Sequence, residues 1–253
     1  MNSFLDSLSG LWFRMLDVQP NPRPWILLGT AVAGLIAVGH HALWRVLRNV
    51  VTTAHEGGHA LVALCVGRKL SRIELHSDTS GVTVSRGKPH GPGMVATMLA
   101  GYLAPSLTGL GAALLLAGGY ITGMLVLTVL LLLVLLSRVR NAHGVLSVLI
   151  TGGVVLAVAW LAPAQAQAVF AYVFAWFLLF GGVRPVFELA GQRRHGRAWE
   201  SDADQLARLT GVAGGVWVSA FGLVNLAVLA AGVGVLVPRV IAGIESLRTA
   251  AGF

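Results

Sequence analysis

Two histidines four residues apart, the first followed directly by a glutamate, stand at His55-Glu56-Gly57-Gly58-His59. On a helix, positions four apart share a face, so both imidazoles point the same way. Two neutral imidazoles can hold a zinc ion. Glu56 can then take a proton from a water that zinc has acidified. The pentapeptide lies inside a long apolar stretch, where ionisable side chains are costly and mark function. The plain structural alternative is a polar helix interface, hydrogen-bonded to its neighbours, and the membrane cost weighs against it.

A catalytic zinc site has three protein ligands and one open position, so one ligand remains to be found. The acids on the matching side of the chain are Glu74, Asp78, Glu188, Glu200, Asp202 and Asp204. The richest cluster is Trp199-Glu200-Ser201-Asp202-Ala203-Asp204, just before the last apolar run. Asp202 and Glu200 are the main rivals for the metal, with Asp204 a further alternative. The same segment predicts a helix over Asp202–Thr210 with Ser201 as its N-cap, and acids at a helix start have an electrostatic reason of their own. Asn141 and His143 are candidates for an oxyanion or substrate contact, against the plainer reading of a capped helix end.

The elements that must position these groups are apolar helices. The chain is 56% hydrophobic and 11% charged, with a mean hydropathy of +0.78. Soluble domains carry about 25% charged residues, so the composition indicates an integral membrane protein. We read residues 1–253 as one all-α polytopic domain with its core at 44–236. About seven spans are expected, at 25–43, 44–66, 94–117, 119–136, 144–161, 165–182 and 212–236. Residues Phe4, Leu8, Leu11, Trp12 and Met15 follow helical spacing and predict a short helix on the membrane surface. Residues 70–86 alternate apolar and polar around Asp78-Thr79-Ser80-Gly81, which predicts a β-hairpin: either an ordinary cytoplasmic loop hairpin or a strand edge close to the metal, able to pair with an extended peptide.

With seven spans, residues 1–24, 67–93, 137–143 and 183–211 share one side and carry 14 of the 18 Lys and Arg residues. That asymmetry puts the N-terminus and the long loops in the cytoplasm. The basic residues sit in connections, so the partner expected from charge is the lipid bilayer, not nucleic acid. The single cysteine, Cys65, excludes an internal disulfide and reads as a packing residue. His40, His41, His76, His90 and His195 read as interfacial or solvated. Gly81, Gly91 and Gly93 can let the flanking loop move.

The run Thr52-Thr53-Ala54-His55-Glu56-Gly57-Gly58-His59-Ala60, then Gly67, then Ser80-Gly81-Val82-Thr83, resembles the site-2 protease family of intramembrane zinc metallopeptidases. It is similar more narrowly to the compact bacterial branch, through Ala100-Gly101-Tyr102-Leu103-Ala104-Pro105, Val139-Arg140-Asn141, Ser201-Asp202-Ala203, Leu209-Thr210-Gly211 and Trp217. The resemblance covers residues 50 to about 220. It implies a multi-pass protein of the bacterial cell membrane that uses one Zn2+ to cleave peptide bonds of membrane-anchored proteins near the cytoplasmic face. It also implies His55, His59 and Asp202 as ligands and Glu56 as general base. Better-studied members carry the aspartate in a Leu-Asp-Gly motif, which the later spans of this chain lack. Two other functions stay open. A membrane gluzincin resembling the CAAX prenyl protease type would use Glu200, since Glu200 and Asp204 match its ExxxD pattern. A non-catalytic metal-binding membrane protein is the third reading.

Overall fold

The computed structural model describes residues 10, 14–20, 22–195 and 201–250, with side chains as far as Pro238. The helices are α1 (Pro24–Gly39), α2 (His41–Cys65), α3 (Pro92–Ala117), α4 (Ile121–Leu136), α5 (Ala142–Leu161), α6 (Ala164–Arg194), α7 (Asp202–Thr210) and α8 (Gly214–Ala250). Strands β1 (Lys69–Leu75) and β2 (Gly81–Arg86) form an antiparallel pair between α2 and α3. Helices follow from the apolar runs because hydrocarbon leaves backbone groups no partner except their own chain. Pro24 and Pro92 stand in the first turns of α1 and α3, where a missing N–H costs nothing. Gly119, with φ at 84°, closes the turn between α3 and α4.

Helices α3 and α6 form the centre and pack through small residues. A Cβ on Gly109 of α3 would fall 2.8 Å from the Leu179 nitrogen of α6, and one on Gly182 would fall 2.8 Å from the Ser106 nitrogen. Apolar lipid offers helices little hydrophobic drive to associate, so such close backbone contact replaces it. Leu116, Ile121, Tyr172 and Leu179 belong to one buried cluster, while Met98, Leu189, Leu206 and Phe221 belong to another that holds α7 against α3, α6 and α8.

Among the described residues, four helices are long and apolar enough to cross a membrane: α3, α5, α6 and α8 as far as Pro238. A fifth span arises if α1 and α2 count as one, and this corrects the expectation of seven. Segments 25–43 and 44–66 were read as two crossings, but α1 and α2 meet at a 96° bend. His40 adopts an extended conformation at the elbow. Helix α4 is apolar but has 16 residues. At about 1.5 Å per residue it reaches about 24 Å, short of a hydrocarbon core of about 30 Å.

The N-terminal segment also departs from expectation. The Gln19 amide N–H donates to the Gly119 carbonyl, and the Gln19 side-chain oxygen accepts from the Thr122 amide at 2.9 Å. Residues 14–20 therefore sit at the α3–α4 turn, at the opposite end of the bundle from the hairpin and not beside it. Arg48, on the α2 side of the elbow, lies 3.4 Å from Glu188 near the C-terminal end of α6. Arg14 and Arg23 thus trade sides with Arg45 and Arg48, and most of the basic residues remain at the hairpin end. Phe4, Leu8, Leu11 and Trp12 of the expected surface helix lie outside the described residues.

The hairpin agrees with the sequence pattern: Leu75 faces Gly81 and Ile73 faces Thr83 across the pair. Its inner edge is also occupied. Ile73 donates to the Arg138 carbonyl and accepts from the Arg140 amide, so the connection before α5 acts as a third, parallel partner of β1. Asn141 completes this edge. Its side-chain oxygen accepts from the Leu75 amide at 3.1 Å and its NH2 donates to the Leu75 carbonyl at 2.6 Å. The outer edge of β2 is the one left unpaired among the described residues.

Candidate metal centre

His55 and His59 project from one face of α2 at the hairpin end. The His59 Nδ1 lies 2.7 Å from the Thr97 carbonyl of α3. A carbonyl only accepts, so Nδ1 carries the proton and Nε2 presents a lone pair. That lone pair faces the His55 Nε2 at 3.1 Å. The Asp202 Oδ2 lies 3.2 Å from each of the two nitrogens. Among the described residues these three form the group that can hold a metal ion.

The geometry fits a tetrahedral ion. Donor atoms about 2.05 Å from zinc stand about 3.3 Å apart, and the three observed separations are 3.1 to 3.2 Å. The chemistry fits as well. The Asp202 Oδ2 is buried without a hydrogen-bond donor, and acceptors converging on one point need a cation between them. The donor set of two imidazoles and one carboxylate is a catalytic zinc set, with room for a fourth ligand.

Asp202 arrives there through its own short helix. Ser201 caps α7, and the Asp204 carboxylate returns a bond to the Ser201 amide at 3.2 Å, which closes a capping box. Arg193 at the end of α6 binds the same carboxylate. Burial opposes ionisation of Asp204, and the hydrogen bonds from Ser201 and Arg193 overcome it and hold its carboxyl low. Ala203 and Leu206 are fully buried against the bundle, which turns Asp202 inward. Asp204 is thus a clamp on the α7 start and does not reach the centre. Glu200 lies outside the described residues.

The other acids are engaged elsewhere. Glu74 pairs with Arg72 at 2.9 Å, and Asp78 accepts from Ser80 in the hairpin turn. Glu188 accepts from the Trp44 indole and from Arg184, both at 2.9 Å.

Glu56 is 3% exposed. Its Oε2 accepts from the Thr83 hydroxyl of β2 at 2.6 Å. Gly81 lies directly over it, and a Cβ there would fall 2.6 Å from the Glu56 Oε1. The hairpin therefore seats on the glutamate, and Gly81 serves close approach instead of loop movement. A pocket of about 160 Å³ opens beside Glu56 and His55, bordered by Arg48, Gly81 and Tyr102. Neither Asn141 nor His143 lines it. The Asn141 amide is spent on Leu75. His143 faces a separate apolar cavity of about 420 Å³ bordered by Val50, Ile150 and Phe174.

Gly101 and Tyr102 are part of the centre, though neither was singled out as a site residue from sequence. A Cβ on Gly101 would fall 2.6 Å from the His55 Nε2 and closer still to the His59 ring. Only a glycine lets α3 pass this near the imidazoles. Its spacing on α3 carried no signal that distinguished it from the packing glycines.

No curated protein and no solved structure matches the chain. The family model described as Peptidase M50B-like matches residues 28–232. That match takes in α2, the hairpin, the central helices and α7, and so all three converging donors and the buried glutamate. A multi-pass membrane helix bundle with such a centre is what a membrane metallopeptidase requires, and the chain belongs to the Peptidase M50B-like family, which is the site-2 protease family.

Proposed function

We propose that this chain is a zinc-dependent intramembrane endopeptidase acting on membrane-anchored proteins near the cytoplasmic face of a bacterial cell membrane. One observation carries the reading: three donor atoms 3.1 to 3.2 Å apart stand beside a buried glutamate that borders a pocket. His55, His59 and Asp202 would hold one Zn2+. When bound, zinc supplies a water of lowered pKa and polarises the scissile carbonyl.

Glu56 takes the proton of the attacking water and passes it to the leaving amine. Thr83 orients its carboxylate by donating to Oε2. The oxygen of the water bonds to the carbonyl carbon, and the carbon–nitrogen bond then breaks. A helical substrate hides its carbonyls, so the cleaved segment must be extended. The unpaired edge of β2 supports binding of such a segment as an added strand, since Thr83 on that strand reaches Glu56. The excess of Lys and Arg at the hairpin end favours the cytoplasm for the site and the opposite face for residues 14–20.

Metal analysis of purified protein tests this. Glu56→Gln is expected to keep zinc at the wild-type level and lose cleavage. Asp202→Ala is expected to lower zinc retention sharply. Equal zinc in wild type and both variants would refute the ligand assignment.

A further inference from the structure

We propose that the Tyr102 hydroxyl is the hydrogen-bond donor to the oxyanion of the tetrahedral intermediate, an inference that rests on the peptidase reading above. Addition of the water oxygen to the carbonyl carbon pushes the π electron pair onto the carbonyl oxygen. Glu56 holds the water proton during this step and later delivers it to the amine nitrogen as the carbon–nitrogen bond breaks. The negative oxygen needs a donor already aimed at it, and such donors supply large parts of a catalytic rate.

The two residues expected from sequence to play this part are unsuited to it. Both polar ends of the Asn141 amide are bonded to Leu75, and His143 opens on another cavity. Within the pocket, the Thr52 hydroxyl donates to the Thr79 carbonyl at 2.8 Å and the Ser80 hydroxyl donates to Asp78 at 2.6 Å. Arg48 lies 3.4 Å from Glu188. The Thr79 hydroxyl belongs to the hairpin turn. Tyr102 is the pocket donor packed against a ligand ring: its hydroxyl has no hydrogen-bond partner among the described residues, and its ring meets the His55 ring edge-on at 5.0 Å.

That ring is also held in advance. It stacks on Phe221 at 4.9 Å, and Phe221 is 1% exposed. The Asn225 NH2 donates to the Tyr102 carbonyl at 3.1 Å. The preceding residue, Gly101, is the one whose backbone abuts the ligand nitrogens. A phenol with an ordinary pKa of about 10 stays protonated at neutral pH and so remains a donor. Tyr102 thus borders the pocket with its ring fixed against His55 and Phe221, and a pre-positioned donor is what a developing oxyanion requires.

The test uses the full chain in detergent with dye-quenched casein, an unfolded probe that needs no unwinding. Tyr102→Phe keeps both ring contacts and removes only the hydroxyl. It is expected to lower kcat about 10²-fold, with KM and zinc content at wild-type values. A phosphinic dipeptide, whose tetrahedral P–O⁻ copies the intermediate, is expected to lose affinity by a similar factor. The parent dipeptide amide is expected to bind both proteins equally. Wild-type kcat in Tyr102→Phe, or a loss confined to KM, would overturn the proposal. Glu56→Gln separates the two readings. If wild type cuts casein, Glu56→Gln does not, and Tyr102→Phe cuts at full rate, only the role of Tyr102 falls. If wild type leaves casein intact, the peptidase reading falls and this inference with it.

Discussion

At Gly101 the backbone of α3 passes so close to the two imidazoles that a single methyl group decides whether an ion fits. Alanine is the better helix former by about 1 kcal/mol, so Gly101→Ala does not weaken α3 by itself. The added Cβ would stand 2.6 Å from the His55 Nε2. The expected outcome is loss of zinc from a folded protein, measured by metal analysis beside circular dichroism. Full zinc in Gly101→Ala would mean that the ion sits elsewhere. The two histidines and the glutamate were legible in the sequence because they share one helix turn, where spacing dictates direction. Gly101, Thr83 and Gly81 were not, because each meets its partner across tens of residues. Gly81 was assigned to loop movement, whereas its missing Cβ makes room for Glu56.

At the scale of elements, α7 brings one carboxylate, that of Asp202, to the two histidines. Its bounds and its Ser201 cap were readable from Ser-Asp-Ala-Asp and the apolar pair that follows. The division of labour between Asp202 and Asp204 was not. Both acids stand in the first turn, and only the packing of Ala203 and Leu206 shows which one faces the histidines. Loss of a helix cap costs about 1 kcal/mol. Asp204→Ala is therefore expected to weaken zinc affinity by roughly 5-fold to 10-fold, and Asp202→Ala far more. Competition with a chelator measures both. A larger loss from Asp204→Ala than from Asp202→Ala would reverse their roles. The hairpin shows a similar split. Its strands follow from alternation, but its docking on residues 138–140 through Ile73 and Asn141 does not, since a parallel bridge between distant segments leaves no local pattern.

For the whole molecule, the elbow at His40 changes the count of crossings and moves the N-terminal segment to the end opposite the hairpin. The charge asymmetry persists because two arginines leave the hairpin side and two join it. Labelling of single cysteines on a Cys65→Ala background checks this arrangement. In intact cells an impermeant thiol reagent is expected to reach Arg14→Cys but not Asp78→Cys, and in inverted vesicles the reverse. Both positions labelled from one side would refute the opposed placement. Hydropathy windows register apolar length but not direction, so a chain that turns by 96° between two apolar runs is read as two separate crossings.

Composition and local spacing by themselves determined that this is a multi-pass membrane protein, that one helix turn carries a histidine pair able to hold a metal together with a glutamate, and that a hairpin and a capped acidic helix follow. Those features are written in neighbours three or four residues apart, or in bulk apolarity. Tertiary structure alone decided which acid completes the triangle, what seats the glutamate, where the pocket opens and how the N-terminal segment is placed. Each of these depends on contacts between residues far apart in the chain, made possible by glycines whose missing side chains leave no periodic trace.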